Sequence, residues 1–168
     1  EEAKPKERQV AMFVGGCVRK YLDKHKVDDI DIATIFTPEE IKIKFKKIKE
    51  VRVVETGVEH GTVTLLLKDL KLEITTLRKD ITTDGRHAEV AFTNDWKEDS
   101  ERRDFTINAI YMDRKGKIFD PQSGVKDLKN KIIKFIGDPH KRIEEDYLRI
   151  IRFIRFKIRE YLCRRFVL

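Results

Sequence analysis

The sequence has few of the residues that build disulfide or zinc sites, since only Cys17 and Cys163 occur among its 168 residues. Two thiols without metal-ligand spacing argue against a zinc site and against a secreted disulfide scaffold. The 4 histidines are scattered and show no paired spacing. No stretch reaches the roughly 20 apolar residues of a membrane-spanning helix, and the first residues lack the apolar segment of a signal peptide. We therefore expect a cytoplasmic protein without a membrane segment.

Charge, by contrast, is abundant. Charged residues make up 40% of the chain and hydrophobic residues another 40%, which is typical of a globular protein rather than a disordered one. A length of 168 residues is enough for one domain with its own core and the start of a second. The net charge of +7 favours an anionic partner such as a nucleic acid, a nucleotide or a membrane surface, although a basic surface also serves solubility alone.

Hydrophobic alternation and turn residues predict a mixture of short strands and helices. Extended segments are expected over residues 10–14, 29–32, 51–56, 61–67, 71–77, 110–112 and 118–119. Helices are expected from residue 18, from Thr37-Pro38, over 101–109, over 125–128 and from Asp138-Pro139 to Ile158 without interruption. The stretch from Lys79 to Ser100 is polar with few apolar anchors, and it is predicted to be a long surface loop.

Asp29 and Asp31 alternate with Ile30 and Ile32, so both carboxylates are expected on one face of a strand. At this spacing the two acids repel each other unless they hold a common hard cation such as Mg²⁺. Glu73, flanked by apolar residues on a later strand, is a candidate third carboxylate for two-metal phosphoryl or nucleotidyl transfer. Taken alone, the aspartate pair is more typical of a solvated acidic loop, and Glu73 of a solvent-facing strand position.

A pair of glycines, Gly15 and Gly16, follows the first predicted strand in the segment VGGCVR. Paired glycines let the backbone approach a phosphate closely and direct N–H groups at it, with a helix N-terminus behind them. Arg19, one helical turn further on, is placed to bind phosphate oxygens. Most such glycine pairs are simple turns, so the position of this one shortly before the two aspartates is the more informative feature.

Two further segments combine arginine with aspartate. In RRDFTINA, Arg103 and Asp104 offer a phosphate-binding guanidinium and an acceptor suited to a ribose hydroxyl, with a surface ion pair as the alternative. In EEDYLRIIRFIRF, helical spacing places four side chains on one side, namely Asp146, Arg149, Arg152 and Arg155. Ordinary ion pairs within a helix explain that spacing as well, whereas next to a nucleotide the same groups offer hydrogen-bonding edges to a base.

The order of these segments is more specific than any one of them. The chain carries, in sequence, VGGCVR, DDIDIAT, LEITTLR, RRDFTINA, DPQSGVKDL and EEDYLRIIRFIRF. This order resembles the bacterial-type (class II) tRNA nucleotidyltransferase and poly(A) polymerase family over residues 10–157. The resemblance implies an α+β fold, with a polymerase-β-like nucleotidyltransferase head of a small mixed sheet and flanking helices over residues 1–136. The start of a helical neck would follow over 137–168.

The resemblance also implies a role for each candidate residue. Asp29 and Asp31 would bind two Mg²⁺ ions, with Glu73 as the third catalytic acid. Nucleotide binding would fall to Gly15, Gly16, Arg19, Arg103, Asp104, Asp146, Arg149, Arg152 and Arg155. The expected partners are CTP, ATP and the 3′ end of tRNA or another RNA, and the expected reaction is CCA addition without a nucleic-acid template. The stretch from Lys79 to Ser100 corresponds to a mobile loop of the family that is implicated in switching from CTP to ATP.

Two departures from the family pattern bear on function. Lys20 stands where the family has aspartate, and we expect this change to affect local structure more than metal binding. The family also continues through a long helical neck, body and tail that hold the tRNA, whereas this sequence ends at EYLCRRFVL. We therefore expect a truncated head, which is a truncated or frameshifted gene product, a fragment, or half of a split enzyme whose partner chain supplies the helical domains. The alternatives are a poly(A) polymerase, an enzyme adding only part of CCA, and a non-catalytic remnant that binds nucleotide or RNA.

Overall fold

The computed structural model describes residues 9–57, 61–84 and 87–165, without the side chains of 81–90 and 159–165. The strands in this part of the chain are β1 (Ala11–Val14), β2 (Ile30–Thr34), β3 (Val51–Gly57), β4 (Thr62–Leu67), β5 (Leu70–Thr76), β6 (Arg78–Asp84), β7 (His87–Phe92), β8 (Tyr111–Met112) and β9 (Ile118–Phe119). The helices are α1 (Gly16–Leu22), α2 (Pro38–Phe45), α3 (Trp96–Glu101), α4 (Gly124–Lys129), α5 (Pro139–Glu145) and α6 (Leu148–Arg165), with a short 3-10 helix at Thr106–Asn108.

Seven of the described strands form one mixed sheet in the order β3-β4-β5-β2-β1-β8-β9. Its parallel pair is β2 with β5, and its other described pairs are antiparallel. On one face, Ile32 belongs to the buried cluster around Ile41 of α2, and Phe13 to the cluster around Val18 of α1. Trp96 of α3 packs with residues of the opposite face. The expected α+β head with a small mixed sheet and flanking helices is confirmed.

Local sequence explains why α2 begins where the sequence predicts. Thr37 Oγ1 accepts a hydrogen bond from the Glu40 backbone N–H at 3.3 Å, and Glu40 Oε2 accepts one from the Thr37 N–H at 2.8 Å. Pro38 occupies the first turn, where its missing N–H has no helical partner to lose. This reciprocal capping box satisfies two backbone donors that a helix start leaves open. It anchors the helix that covers one face of the sheet.

The prediction of a long loop between Lys79 and Ser100 is wrong for the described part of that stretch. β6 and β7 pair as an antiparallel ribbon outside the main sheet, and α3 follows. Asp95 caps α3 by accepting a hydrogen bond from the Lys97 N–H at 2.7 Å. The ribbon is joined by backbone pairing that runs from Arg78 with Phe92 to Asp84 with His87. Its first strand, RKDITTD, contains a single apolar residue and therefore lacks the apolar alternation from which strands are recognised.

The prediction of a helix over residues 101–109 is also wrong, because α3 ends at Glu101. Phe105 is extended and forms an isolated antiparallel bridge with Phe135, and only the short 3-10 helix follows. Asp104 Oδ1 accepts hydrogen bonds from the Phe105 N–H at 2.8 Å and from Asn108 Nδ2 at 2.9 Å. An aspartate that bonds its own neighbouring backbone competes with helical hydrogen bonding, which explains the interruption.

The single final helix expected from Asp138 onward is divided into α5 and α6. Asp146 separates them with an extended backbone (φ −157°, ψ 101°), and its Oδ1 accepts a hydrogen bond from the Leu148 N–H at 2.9 Å. The same carboxylate thus ends one helix and caps the next, a use of aspartate that apolar periodicity does not reveal. The bend lets α6 turn across the head instead of continuing away from it.

An aromatic cluster attaches α6 to the rest of the chain. Phe156 of α6 is buried with Phe105 and Ile107, and the rings of Phe135 and Phe153 stack with centroids 5.8 Å apart. The boundary predicted between residues 136 and 137 stays a prediction, since this cluster joins residues on both sides of it. No described helix is long and apolar enough to cross a membrane.

Candidate active site

A cavity of about 390 Å³ lies between the start of α1, the end of the segment after α3, and α6. Its lining consists of Gly15, Gly16, Arg19, Asp31, Arg102, Arg103, Asp104, Asn108, Arg149, Arg152, Arg155 and Phe156. A second cavity of about 300 Å³ shares Arg19 and Asp31 and extends to Lys20 and Asp29. Ten of the twelve site residues predicted from the sequence line one of these two cavities. The other two, Glu73 and Asp146, each lie beside a lining residue.

The glycine pair forms the floor of the larger cavity at the junction of β1 and α1. Gly15 has φ +72°, a left-handed conformation that L side chains rarely adopt, and its N–H donates to the Ile110 carbonyl at 3.3 Å. Gly16 opens α1, and a Cβ added to it would meet no atom within 4 Å. The space above Gly16 is therefore free for a ligand to approach the backbone closely.

The three predicted acids lie at the edge shared by β2 and β5. Asp31 and Glu73 are direct register partners on these parallel strands, so their side chains share one face of the sheet. Asp29 lies two residues before Asp31, just outside β2, with a side chain 86% exposed. Burial raises the pKa of Asp31, and the neighbouring charge of Glu73 raises it further. The pair thus carries an electrostatic repulsion that a cation would relieve.

The carboxylates suit a hard cation by chemistry but do not converge into a cage. Within the described residues, no group of three or more His, Cys, Asp or Glu side chains is arranged to hold a metal ion. Lys20 Nζ lies 4.0 Å from Asp29 Oδ2, and Lys71 Nζ lies 2.7 Å from Glu73 Oε1. Two of the three acids therefore have an ammonium partner. Asp31 is the one that lines both cavities.

Arginines from three segments surround the space above the glycines. Arg19 Nη1 donates to Asn108 Oδ1, and its guanidinium lies 4.6 Å from the centroid of the Phe156 ring. Arg103 projects from the segment after α3, and its charge lowers the pKa of Asp31 against the effect of burial. Asp104 Oδ2 accepts a hydrogen bond from an α6 arginine 3.0 Å away, so this segment is tied directly to α6.

The residues expected to select a base occupy the start of α6. Arg152 bridges Asp104 and Asp146, with Nε 3.0 Å from the first and Nη2 2.7 Å from the second. Arg149 is only 9% exposed, and its Nη1 donates to the Arg142 carbonyl and to Glu145. Glu145 and Arg149 form an ion pair at helical spacing, four residues apart, although it spans the break between α5 and α6. Asp146 bonds Arg152 rather than Arg149.

Besides the lining residues Arg102 and Asn108, two polar residues that organise this site are not among those predicted from the sequence. Asp99 of α3 binds both arginines of the RRDFTINA segment, with Arg102 Nη2 at 2.7 Å and Arg103 Nη2 at 3.0 Å. Arg142 of α5 is 9% exposed, and its Nη2 donates to the Arg102 and Arg103 carbonyls. The spacing of Asp99 from the arginines, three and four residues, is a helical ion-pair pattern and was the available signal. Arg142 has the same kind of spacing, because it pairs with Glu145 three residues on, at 2.6 Å.

Asp99 also makes the free energy of unfolding depend on pH in the acidic range. Burial raises the pKa of this carboxyl, but the guanidinium groups of Arg103 and Arg102 outweigh burial and lower the pKa from 3.8 to about 2. A depressed folded-state pKa means that the stabilisation is present above the unfolded pKa and is lost as the pH falls towards the folded one. We expect the difference in the free energy of unfolding between the wild type and Asp99→Asn to shrink between about pH 4 and pH 2. Urea denaturation across this range measures it, and a difference independent of pH would contradict it.

Comparison with known proteins identifies the family of this chain. A family model described as the poly(A) polymerase head domain matches residues 11–134. CCA tRNA nucleotidyltransferase 1, mitochondrial, of Homo sapiens is 48% identical over 151 residues, which is 90% of this chain and 35% of the relative. The CCA-adding enzyme of Enterococcus faecalis is 45% identical over 164 residues, which is 93% of this chain and 39% of the relative. The chain therefore spans little more than a third of the length of these relatives.

Solved structures of similarly named enzymes also resemble this chain. The CCA-adding enzyme of Bacillus stearothermophilus in complex with CTP superposes with a TM-score of 0.74 and 38% identity, covering 87% of this chain and 34% of the other. A tRNA nucleotidyltransferase complexed with a primer tRNA and an incoming ATP analog superposes with a TM-score of 0.67 and 33% identity, covering 88% of this chain and 41% of the other. Because the family model matches most of the sequence, residues 11–134, the chain belongs to the poly(A) polymerase head-domain family.

Proposed function

We propose that this chain is the catalytic head of a template-independent RNA nucleotidyltransferase that adds CMP and AMP to the 3′ end of tRNA. The single observation that carries the proposal is the larger cavity. It brings the open backbone of Gly16 and the carboxylate of Asp31 together with the arginines of α1, of the segment after α3 and of α6. Relatives of the same family that are named as CCA-adding enzymes, including one solved with CTP, support this choice of reaction.

The charge of the cavity matches a nucleoside triphosphate. Six of its twelve lining residues are arginines, against the two carboxylates of Asp31 and Asp104. Guanidinium groups form paired, charge-assisted hydrogen bonds with phosphate oxygens, which makes arginine well suited to a polyphosphate. Arg103 and Arg19 would hold the triphosphate above the backbone of Gly15 and Gly16.

The carboxylates of Asp29 and Asp31 would hold Mg²⁺, with Glu73 alongside as the third acid. Their oxygen donors are the kind this hard cation prefers. Burial and acidic neighbours raise the pKa of Asp31, so a cation beside this carboxylate would offset both effects. When bound, the metal supplies activation of the RNA 3′-hydroxyl and charge neutralisation at the triphosphate. Asp31 contributes by its place in the sheet, where β2 aims its carboxylate into the same space as the arginines.

The remaining residues would orient the sugar and the base. Asp104 offers a carboxylate to a ribose hydroxyl. Asp146, Arg149, Arg152 and Arg155 lie at the end of the cavity nearest α6, or beside it, and would contact the base. Because Arg152 is bonded to Asp146 and Asp104 in this structure, reading a base edge there requires at least one of these ion pairs to be exchanged for bonds to the ligand.

The test is an incubation of the chain with Mg²⁺, tRNA lacking its 3′-terminal CCA, and labelled CTP or ATP. Incorporation of both CMP and AMP would support CCA addition. The description of the matching family favours poly(A) polymerase as the second candidate, and such an enzyme would use ATP and ignore CTP. Binding of nucleotide without transfer, even after helical partner domains are added, would indicate the non-catalytic remnant, and failure to bind CTP or ATP would refute both catalytic functions. A second incubation with added helical partner domains tests the expected partner chain.

The cytoplasmic location expected from the sequence stays a prediction, since one of the similar proteins is named as mitochondrial. Fractionation of cells that express the tagged chain would decide between these compartments.

Lys20 gives a prediction about metal affinity. Its Nζ lies 3.3 Å from Asp28 Oδ2 and 4.0 Å from Asp29 Oδ2, so it competes with a cation for the second carboxylate. We expect Lys20→Met to raise the affinity for Mg²⁺ in the presence of CTP by about fivefold, the effect of one unit charge at this distance in a solvated setting. Isothermal titration measures the affinity, and Lys24→Met removes an exposed charge as the control. An unchanged affinity in Lys20→Met would show that Lys20 acts on local structure alone.

A further inference from the structure

Asp99 is a buried carboxylate just outside the larger cavity. Its side chain is 1% exposed and does not line the cavity, whereas the two arginines that it binds do. Oδ1 accepts hydrogen bonds from Arg102 Nε at 2.9 Å, from Arg102 Nη2 at 2.7 Å and from the Arg78 N–H at 3.3 Å. Oδ2 accepts from Arg103 Nε at 3.2 Å, from Arg103 Nη2 at 3.0 Å and from the Tyr111 hydroxyl at 2.7 Å. Six donors therefore hold one carboxylate in place.

The contact with Arg103 determines where the free edge of its guanidinium points. Because the guanidinium is planar, binding Nε and Nη2 to Asp99 directs Nη1 away from the carboxylate. Nη1 lies 3.8 Å from the position that a Cβ on Gly15 would occupy, which places it over the glycine turn. The charge of Arg103 is also felt at Asp31, whose pKa it lowers. Arg103 thus spans the gap between Asp99 and the space where a triphosphate would lie.

The geometry points to Asp99 as a positioning residue, which we propose aims Nη1 of Arg103 at the phosphates of the incoming nucleotide without touching the nucleotide itself. This inference rests on the proposed function and adds a residue to it. Tyr111 completes the arrangement, since its hydroxyl donates to Asp99 Oδ2 and accepts from Arg103 Nε at 3.1 Å. The Arg78 N–H bond ties the same carboxylate to the first residue of β6.

A purely structural ion pair would make a different prediction. If Asp99 only balanced buried charge, its replacement would lower the stability and leave the affinity of the folded protein for nucleotide unchanged. If it positions Arg103, a change that keeps the negative charge but moves the carboxylate would weaken nucleotide binding in a protein that still folds. Asp99→Glu is such a change, because it lengthens the side chain by one methylene and leaves no arginine without a carboxylate partner.

The experiment measures the dissociation constant of CTP with Mg²⁺ by isothermal titration on the whole chain, with near-UV circular dichroism as the check of folding. We expect Asp99→Glu to weaken CTP binding about tenfold, the usual effect of losing a partner that orients a ligand-binding group. In an Arg103→Met background, Asp99→Glu should change the dissociation constant by less than about twofold, because the group that it orients is absent. Asp127→Asn is the control and should leave CTP binding unchanged. It removes a carboxylate that accepts a hydrogen bond from Thr106 Oγ1 and does not line the cavity.

Four outcomes overturn the inference. The first is a folded Asp99→Glu protein that binds CTP as tightly as the wild type. The second is an Asp99→Glu change that weakens CTP binding by the same factor whether or not Arg103 is present. Absence of CTP binding by the wild type would overturn the proposed function as well, so the two failures are distinguishable. If Asp99→Glu does not fold, Tyr111→Phe removes one bond to Asp99 and one to Arg103 without changing any charge. It should weaken CTP binding about threefold, and unchanged binding would count against the inference.

Discussion

Asp31→Asn is expected to lower nucleotidyl transfer at least about a thousandfold, equivalent to roughly 4 kcal/mol of transition-state stabilisation. Asp31 is the predicted metal-binding acid that lines both cavities, and β2 holds it in the same space as Arg103. The same change should raise the thermal stability of the metal-free protein. The substituted amide would carry no charge beside Glu73, its register partner, so the repulsion that raises the Asp31 pKa would be removed. Loss of activity together with a gain in stability is the pattern expected of a functional acid.

Transfer is measured as incorporation of labelled CMP into tRNA lacking CCA, and stability as the thermal midpoint without metal. Asp28→Asn is the matched control, because Asp28 is an adjacent acid that lines neither cavity and has a side chain 56% exposed. It should reduce transfer by less than about threefold, in line with the small energies of exposed ion pairs. Comparable losses in the two variants would mean that local acidity, and not the position of Asp31 on the strand, matters. A drop in the thermal midpoint of Asp31→Asn would contradict the repulsion argument.

Gly124→Ala is expected to destabilise the fold by about 3 kcal/mol, at the upper end of what overpacking costs. A Cβ at Gly124 would lie 2.1 Å from the Thr106 carbonyl oxygen and 2.9 Å from Ile110 Cγ1. The closest of these atoms belongs to the backbone, so the clash is not relieved by a change of rotamer. Relief requires α4 to move away from the segment that carries Arg103 and Asp104. We therefore expect nucleotide affinity to fall together with stability.

Gly16→Ala is the matched control, since Gly16 and Gly124 are both the first residue of a helix. A Cβ on Gly16 meets nothing within 4 Å, so its effect on stability should lie within about 1 kcal/mol. Urea denaturation of both variants provides the comparison. If Gly124→Ala unfolds at the same urea concentration as Gly16→Ala, close packing of α4 against the Thr106 carbonyl is not what requires glycine at position 124.

The strands of the main sheet and their order along the chain were recognisable because they are bounded by turn residues and carry apolar residues that pack in the buried clusters. Ile30 and Ile32 identified β2 in this way, and Thr37 identified the start of α2. The β6–β7 ribbon was not recognisable, because β6 has a single apolar residue in RKDITTD and therefore no apolar alternation. The break at Asp146 was missed for a related reason, since the apolar spacing of the last helix continues across it while a local carboxylate cap interrupts the backbone.

The sequence by itself determined which residues are available for the chemistry. The glycine pair, the alternation of aspartate with isoleucine and the RRDFTINA segment identify Gly15, Asp31 and Arg103 as candidates, and the order of these segments along the chain indicates the family. Only the tertiary structure decided which of them meet. The parallel pairing of β2 with β5 brings Glu73 beside Asp31, because register between distant strands depends on the whole sheet. The burial of Asp99 beneath two arginines arises from packing of α3 on the sheet, and no local pattern distinguishes such a carboxylate from an exposed helical ion pair.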